Sequence, residues 1–224
     1  DMDIVSASYA DDTIAWYEND GAANPSWTAA DIATSADGAM SVFAADMDND
    51  GDMDIVSASY IDGTIAWYSN DGSANPSWTA ADIATGAAGT TRSVFAADMD
   101  NDGDMDIVSA SEIDHTIAWY ENNLTALNTP NFSAADISTG VSGASSVHTA
   151  DMDNDGDLDI LTSAEGSGII YWRENDGAAD PSFSLETATH SINGVSDVFP
   201  IDLDQDGDMD IVSVAHTDNK VRWH

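Results

Sequence analysis

The sequence predicts an all-β fold made of repeated four-stranded antiparallel sheets, and the first evidence is a repeat period. Two markers recur along the chain, the tetrapeptide DMDI (DLDI in one copy) and a tryptophan that follows it. The tetrapeptide begins at Asp1, Asp52, Asp104, Asp157 and Asp208, and the tryptophans are Trp16, Trp67, Trp119, Trp172 and Trp223. Both series have intervals of 51, 52, 53 and 51 residues. Because two independent markers share one period, the chain is a tandem repeat.

The second observation is that each repeat contains four strand-like segments. In the second repeat they are SVFAAD (41–46), DIVSASY (54–60), TIAWYSNDG (64–72) and PSWTAADIAT (76–85). These segments are rich in Val, Ile, Trp, Tyr and Thr, and Asp, Asn and Gly separate them, as is typical of short strands joined by tight turns. We call the four predicted strands A to D.

The third observation is that the strands are apolar on both faces. In TIAWY, Ile65 and Trp67 share one face, and Ala66 and Tyr68 share the other. Sheets that are covered on both sides have this composition. Four strands in about 50 residues match one blade of a β-propeller. The predicted fold class is therefore an all-β, propeller-type repeat of four-stranded antiparallel blades, with an open stack of sheets as the alternative.

We expect one repeat domain over residues 1–224. Its units run approximately over 1–40, 41–92, 93–145, 146–196 and 197–224. The first unit lacks strand A and the last lacks strand D, so the fold is expected to be incomplete at both ends. This pattern indicates either a window on a longer array or a subunit that its neighbours complete.

An acidic loop lies between strands A and B of each complete repeat, as in DMDNDGDMD (46–54). The pattern D-x-D-x-D-G-x-x-D puts carboxylates at loop positions 1, 3, 5 and 9, and glycine at position 6 permits a sharp turn. Four carboxylates this close repel one another unless a hard cation lies among them. Oxygen-only ligands favour Ca²⁺ over Zn²⁺, and over Mg²⁺, which keeps more of its water. We predict one Ca²⁺ in each of the four complete loops.

The predicted ligands are the side chains at positions 1, 3, 5 and 9 and the carbonyl at position 7. By loop, these residues are Asp46, Asp48, Asp50, Asp52 and Asp54; Asp98, Asp100, Asp102, Asp104 and Asp106; Asp151, Asp153, Asp155, Asp157 and Asp159; and Asp202, Asp204, Asp206, Asp208 and Asp210, with a remnant at Asp1 and Asp3. The loop is not an EF-hand, because Ser or Thr stands at position 12 where that motif has glutamate.

The sequence FAADMDNDGDMDIVSAS…TIAWYSNDG resembles the FG-GAP/VCBS repeat of integrin α-subunit propellers and of many microbial and algal surface proteins, over essentially the whole chain. The resemblance implies that the acidic loop joins the first two strands of a blade. It also implies that positions 1, 3, 5, 7 and 9 hold one Ca²⁺. Propellers of this family commonly have seven blades, and the nearest matches to the FG and GAP signatures are FAAD and SAS.

The composition limits the classes of binding partner and the cellular location that we expect for the protein. The chain has 42 acidic and 4 basic residues and a formal net charge of −38, which repels nucleic acid and anionic membranes but attracts cations. It has no cysteine, which excludes disulfides and thiolate metal sites. No apolar run approaches the roughly 18 residues of a membrane span, so no membrane insertion is expected. Extracellular calcium modules bind at about 10⁻⁴–10⁻³ M, which predicts a secreted or cell-surface protein.

The first functional hypothesis is a non-enzymatic, calcium-stabilised repeat protein with an adhesive or structural role. In its sharper form, copies of the chain or further repeats join end to end into a fibre. The alternatives are a lectin-like propeller that binds glycans in pockets between blades, and a polysaccharide-cleaving enzyme. The enzyme would need non-repeating acid or base residues gathered in one cleft, and the sequence nominates none.

Three smaller sets of residues carry further expectations. The in-register tryptophans are predicted to pack in the core rather than to stack on sugars. Two sequons, at Asn123 and Asn131, predict N-glycosylation in a eukaryotic source. The basic residues are each expected to pair with a nearby carboxylate; they are Arg92, Arg173, Lys220 and Arg222.

Overall fold

The computed structural model describes residues 2–86, 90–125, 128–189 and 192–224, without the side chains of 187–189. This part of the chain forms eighteen β-strands and no helix. The strands make five antiparallel sheets of three or four strands each. Accordingly, no helix in the described ranges has the length and apolarity to span a bilayer.

Within each sheet the strands lie side by side in chain order. The first sheet contains β1 (Ile4–Ser8), β2 (Thr13–Asn19) and β3 (Trp27–Ala33), and the second contains β4 (Ala39–Ala45), β5 (Asp54–Ser59), β6 (Ile65–Asn70) and β7 (Trp78–Ala84). The third contains β8 (Thr91–Ala97), β9 (Asp106–Ser111), β10 (Thr116–Asn122) and β11 (Phe132–Thr139). The fourth contains β12 (Ala144–Ala150), β13 (Asp159–Ala164), β14 (Ile169–Asn175) and β15 (Phe183–Thr189), and the fifth contains β16 (Val195–Ile201), β17 (Asp210–Ala215) and β18 (Lys220–Trp223).

These bounds confirm the predicted strands. The first sheet has strands of types B, C and D, the last has types A, B and C, and the three between them are complete. Each A strand carries a β-bulge near its start, as at Arg92, where the register shifts between Thr91 and Ser93. A bulge places an extra residue against the partner strand and redirects side chains there.

The sheets pack face to face through their A strands, which we call the inner strands (β4, β8, β12 and β16). Each inner strand contacts the inner strand of the next sheet. Direct hydrogen bonds support this packing: the backbone N–H of Val94 donates to the hydroxyl of Ser41 at 3.3 Å, and that of Val198 donates to Ser146 at 3.2 Å. The D strands are largely exposed, as in β7. The sheets therefore converge at their inner strands.

Each pair of neighbouring sheets encloses its own apolar core, as the two apolar faces of the strands predicted. Between the second and third sheets, Met47 from an acidic loop packs with Val56, Ile65 and Ile107, all essentially buried. Trp119 is buried in the next core, and Trp67 and Trp172 pack partly buried against theirs, but Trp223 is exposed. The prediction of core tryptophans thus holds in the middle sheets and fails at Trp223.

Packing joins each sheet to the next one along the chain. No comparable strand packing joins the first sheet to the fifth within the described residues. What the structure contains is therefore an open series of five sheets, and it shows no closed propeller in this part of the chain.

Candidate metal centres

Each acidic loop connects the inner strand of a sheet to the second strand, as between β4 and β5. Two residues in the loop adopt positive φ. The residue at position 4 is Asn49, Asn101, Asn154 or Gln205, with φ of 56°, 60°, 64° and 63°. The glycine at position 6 has φ between 95° and 102°, outside the left-handed helical region that other residues tolerate. Nothing lies within 4 Å of a Cβ added at Gly51, so the requirement for glycine there is conformational.

The loop backbone folds around the carboxylate at position 1. In the first complete loop, Asp46 accepts hydrogen bonds from the N–H groups of Asp50 at 3.1 Å and Gly51 at 2.9 Å. The same pair of bonds recurs at Asp98, Asp151 and Asp202. The first aspartate therefore sets the shape of the loop as well as contributing charge.

The carboxylates at positions 1, 3 and 5 converge in all four loops. In each loop one oxygen from each of the three side chains lies within 4.8 Å of the others. The clusters are Asp46, Asp48 and Asp50; Asp98, Asp100 and Asp102; Asp151, Asp153 and Asp155; and Asp202, Asp204 and Asp206. The structure thus brings together three of the four predicted carboxylates in every complete loop.

The aspartate at position 9 has a different environment. Asp54, Asp106 and Asp159 are fully buried. The carboxylate of Asp54 accepts the N–H of Met47 at 3.1 Å and the N–H of Asn70 at 2.8 Å. This side chain therefore connects the acidic loop to the third strand of its sheet, and its oxygens are not part of the three-carboxylate cluster.

The recurring tryptophan belongs to this connection in two repeats, whereas the indole N–H groups of Trp67 and Trp119 are buried without a hydrogen-bond partner. The indole N–H of Trp172 donates to Asp159 at 3.0 Å, and that of Trp16 donates to Asp3 at 2.9 Å. In both pairs the tryptophan lies 13 residues after the aspartate. The sequence predicted packing for these tryptophans and not the hydrogen bond, although a tryptophan lies 13 residues after an aspartate in every repeat.

The side chain at position 7 links consecutive loops. Asp104 accepts a hydrogen bond from the side-chain amide of Asn49 in the preceding loop at 2.9 Å, and Asp157 accepts one from Asn101 at 2.8 Å. Asp208 accepts from Asn154 at 3.3 Å. Because these side chains bond to a neighbouring loop, only the backbone carbonyl of position 7 is left as the predicted cation ligand in its own loop.

Burial and mutual repulsion disfavour the ionised form of some loop carboxylates. Burial, followed by the charges of Asp54 and Asp50, raises the pKa of Asp48 to about 6. Burial raises the pKa of Asp106 to about 7 even though backbone N–H groups of Asn122 and Met99 stabilise its charge. One oxygen of Asp48 is buried without a hydrogen-bond partner. An unpartnered oxygen among three carboxylates suits a hard divalent cation such as Ca²⁺.

The other predicted residues have varied positions. Asp1 lies outside the described residues, and Asp3 holds the place of position 9 in the first sheet. The sequon residues Asn123 and Asn131 are both exposed, and the N–H of Asn123 donates to the carbonyl of Asn131 at 3.0 Å.

The expectation for the basic residues is wrong for two of the four, because Lys220 forms no ion pair with any described residue and Arg173 packs on an aromatic ring instead. Arg92 pairs with Glu112 and Glu165, and Arg222 pairs with Asp218. Arg173 is buried over the ring of Tyr171 at 5.3 Å and forms no ion pair with any described residue. The aromatic ring thus takes the place of the expected carboxylate.

Comparison with known proteins gives a family match. The model of the FG-GAP-like repeat matches residues 1–57, 46–109 and 98–162. No curated protein matches the chain in sequence. Among solved structures, the crystal structure of the Chaetomium thermophilum Nup170 N-terminal domain in complex with Nup53 is similar, with 10% identity and a TM-score of 0.49 over 95% of this chain. The chain spans only 35% of that protein chain.

Proposed function

Because the chain belongs to the family of FG-GAP-like repeat proteins, we propose that it is a non-enzymatic, calcium-stabilised scaffold with an adhesive or structural role outside the cell. In this proposal the five sheets are consecutive blades of a propeller-type array, and each complete acidic loop holds one Ca²⁺. The observation that carries the proposal is the recurrence of one three-carboxylate cluster, in the same place, in four loops.

A bound cation at these loops would stabilise the packing between sheets. The loop at 46–54 contributes Met47 to the core shared with the third sheet, and Asn49 donates to the next loop. Fixing the shape of one loop therefore also fixes its contacts with its neighbour. A structural role for the cation follows from this arrangement more directly than a catalytic one.

The expected size of the effect is large. A ligand at 100 times its Kd adds about 2.7 kcal/mol per site. Four independent sites would add roughly 11 kcal/mol, which is comparable to the whole net stability of a typical domain, about 5–15 kcal/mol. Four Ca²⁺ change the formal charge only from −38 to −30, since they add 8. Sites with the affinity of extracellular calcium modules, about 10⁻⁴–10⁻³ M, would fill at the calcium concentration outside cells, which is the location that we propose.

The outward face of the fifth sheet supports assembly with a further repeat or another copy. Leu203 occupies loop position 2, where Met47 is fully buried by the next sheet, but Leu203 is 48% exposed. Val221 and Trp223 on the last strand are 71% and 56% exposed. In the other sheets the equivalent apolar face is covered by a neighbour. We therefore propose that a sheet of the same kind covers this face in the functional assembly.

Calcium titration tests the central proposal. Isothermal titration calorimetry of the chelated protein should detect four sites, and thermal unfolding should shift upward as calcium is added. In the variant Asp98→Asn, Asp100→Asn, Asp102→Asn we expect three sites. The matched control is Asp82→Asn, an exposed aspartate on β7 outside the loops, which should keep all four. Absence of calcium binding at millimolar concentration would contradict the proposal.

A further inference from the structure

A second cluster of chemically active side chains lies at the edge of the sheets opposite to the acidic loops. It surrounds an opening of about 480 Å³, to which each of the five sheets contributes the residue that follows its B strand. These residues are Tyr9, Tyr60, Glu112, Glu165 and His216. Their spacing reproduces the repeat intervals of 51, 52, 53 and 51 residues. The backbone position is therefore repeated, while the side chain changes from sheet to sheet.

A sixth residue, Arg92, completes the cluster. It is the bulge residue of its inner strand, since the register shifts between Thr91 and Ser93. The corresponding bulge residues of the other inner strands are Met40, Ser145 and Ser196, so only one repeat brings a positive charge to the opening. A bulge that redirects a unique charged side chain is typical of functional sites.

Polar contacts join five of the six side chains across the sheets, and Tyr9 joins them through a ring contact with Tyr60. The hydroxyl of Tyr60 donates to Glu112 at 2.9 Å, and the guanidinium of Arg92 lies 3.0 Å from Glu165 and 3.6 Å from Glu112. His216 lies 3.5 Å from Glu165. The rings of Tyr9 and Tyr60 are 6.1 Å apart. The cluster is thus held in place by its own contacts before any ligand arrives, which lowers the entropic cost of binding.

The charge of the cluster narrows the class of ligand. Two carboxylates and one guanidinium leave a net negative charge when His216 is neutral, in a chain of net charge −38. Anionic ligands are therefore repelled. A bare metal cation is disfavoured as well, because both carboxylates already pair with Arg92. A neutral ligand rich in hydroxyl groups fits best.

We propose that this opening binds a neutral saccharide. Glu112 and Glu165 would accept hydrogen bonds from sugar hydroxyls, Arg92 would donate to them, and the ring of Tyr9, which is 48% exposed, would pack against the apolar face of the sugar ring. A volume of about 480 Å³ falls within the roughly 300–1,000 Å³ of small-molecule sites. The site differs from the pockets between blades that the sequence analysis considered, because all five sheets contribute to it.

The same residues answer the requirement that the enzyme hypothesis could not meet from sequence, since they gather non-repeating acidic and basic groups in one place. Their pairing favours binding over cleavage. Both glutamates are held as partners of Arg92, so each carboxylate already has a fixed hydrogen-bonding role in the cluster. The opening is therefore assigned to recognition.

The test is a binding screen of the calcium-loaded protein against a panel of neutral, amine-bearing and anionic saccharides, followed by calorimetry on the best neutral hit. We expect saturable binding that weakens at least tenfold in Tyr9→Ala and in Glu165→Gln, with unchanged affinity in the matched control Glu186→Gln on the exposed face of β15. Calcium binding should be unaffected in all three variants, since the cluster and the acidic loops lie at opposite ends of the strands.

Tyr9→Ala keeps the test valid if the glutamate variant misfolds, because Tyr9 contributes only a ring contact to the cluster. Circular dichroism and thermal unfolding identify any variant that has lost its fold. The proposal is overturned if no neutral saccharide binds, if only amine-bearing or anionic saccharides bind, or if neutral binding persists at full strength in the folded Tyr9→Ala protein.

Discussion

The two edges of the sheets share one repeat period but use it in opposite ways. At the acidic edge, four loops carry the same aspartates, and the loop backbone donates the same hydrogen bonds to Asp46 or its equivalents. At the opposite edge, the turn after each B strand repeats one backbone position but carries three kinds of side chain, Tyr, Glu and His. The difference shows that the side chains that hydrogen-bond to the backbone of their loop are the same in every repeat. Side chains that do not hold the backbone differ between repeats, and together they can form a site that occurs once.

The largest expected difference between the edges comes from removing calcium. We expect chelation to lower the free energy of unfolding by roughly 11 kcal/mol relative to protein in calcium at 100 times its Kd, because four clusters of like charges lose their counterions. Urea unfolding at that calcium concentration and in excess chelator measures this difference. Equal free energies of unfolding in the two conditions would show that calcium at the acidic edge does not stabilise the fold.

The second effect is a pH dependence at the acidic edge. The pKa of Asp106 is raised to about 7 and that of Asp48 to about 6, above the ordinary 3.8 of the unfolded chain. A raised pKa means that the folded state binds more protons than the unfolded state. The contribution of each such carboxyl group to the free energy of unfolding is therefore present below about pH 4 and is lost as the pH rises towards 7. Without calcium, the chain should therefore become less stable between pH 4 and pH 7.5, by roughly 2–4 kcal/mol for Asp106.

Calcium should reverse this trend, because the ion binds the deprotonated carboxylates and protons compete with it. The control for the general repulsion of a highly acidic chain is Asp106→Asn, which removes one titrating group and keeps an acceptor oxygen. Thermal unfolding of both proteins in chelator, from pH 4 to pH 7.5, should show a flatter profile for the variant. Superimposable slopes would contradict the assignment to Asp106.

The third, smaller effect compares the stability cost of losing a hydrogen bond between two sheets with that of losing one within a single sheet. The side-chain amide of Asn122, fully buried, donates to Met47 of the second sheet at 2.9 Å and to Met105 of its own sheet at 3.1 Å. Asn70 is its counterpart in the second sheet, and its amide donates only to Met53 of the same sheet at 3.1 Å. Asn122→Ala should cost about 2 kcal/mol, because buried carbonyls lose their donor, and Asn70→Ala clearly less. Urea unfolding in calcium compares them, and equal losses would show that the link between sheets adds nothing.

These comparisons also show how far sequence alone could reach. The period and the short runs rich in Val, Ile, Trp, Tyr and Thr predicted the strands to within about two residues, as for 54–60 against Asp54–Ser59. Local pattern sufficed because each strand pairs with its neighbour in the chain. The three converging carboxylates of each loop were likewise local, lying within five consecutive residues.

The opposite edge was beyond that reasoning because its residues are far apart in sequence. Arg92 and Glu165 are 73 residues apart and meet only because the sheets converge at their inner strands. Comparing the repeats for identical residues also fails to find a site whose residues differ from one repeat to the next. The available signal was the register itself: aligning the repeats places Tyr9, Tyr60, Glu112, Glu165 and His216 in one column, and a column that varies at a fixed place in the fold is where specificity can be built.

The smallest effect that we predict is the stability cost of breaking the chain of contacts at this edge. Arg92→Gln removes two ion pairs whose side chains are about a quarter to a third exposed. Partly exposed pairs of this kind contribute about 1 kcal/mol or less, so the free energy of unfolding should fall only slightly. The same substitution should abolish measurable binding of the neutral saccharide, because it removes the donor and releases both glutamates from their fixed positions.

A large loss of stability in Arg92→Gln, measured by urea unfolding in calcium, would instead show that this edge holds the sheets together as the acidic edge does. The matched control is Arg222→Gln, which breaks a single pair with Asp218 in the turn between β17 and β18, and neither of these residues lines the opening. Its stability cost should be similar or smaller, and its saccharide binding should be unchanged. A stability loss that is small in both variants, with binding lost only in Arg92→Gln, separates a site built for recognition from a site built for stability.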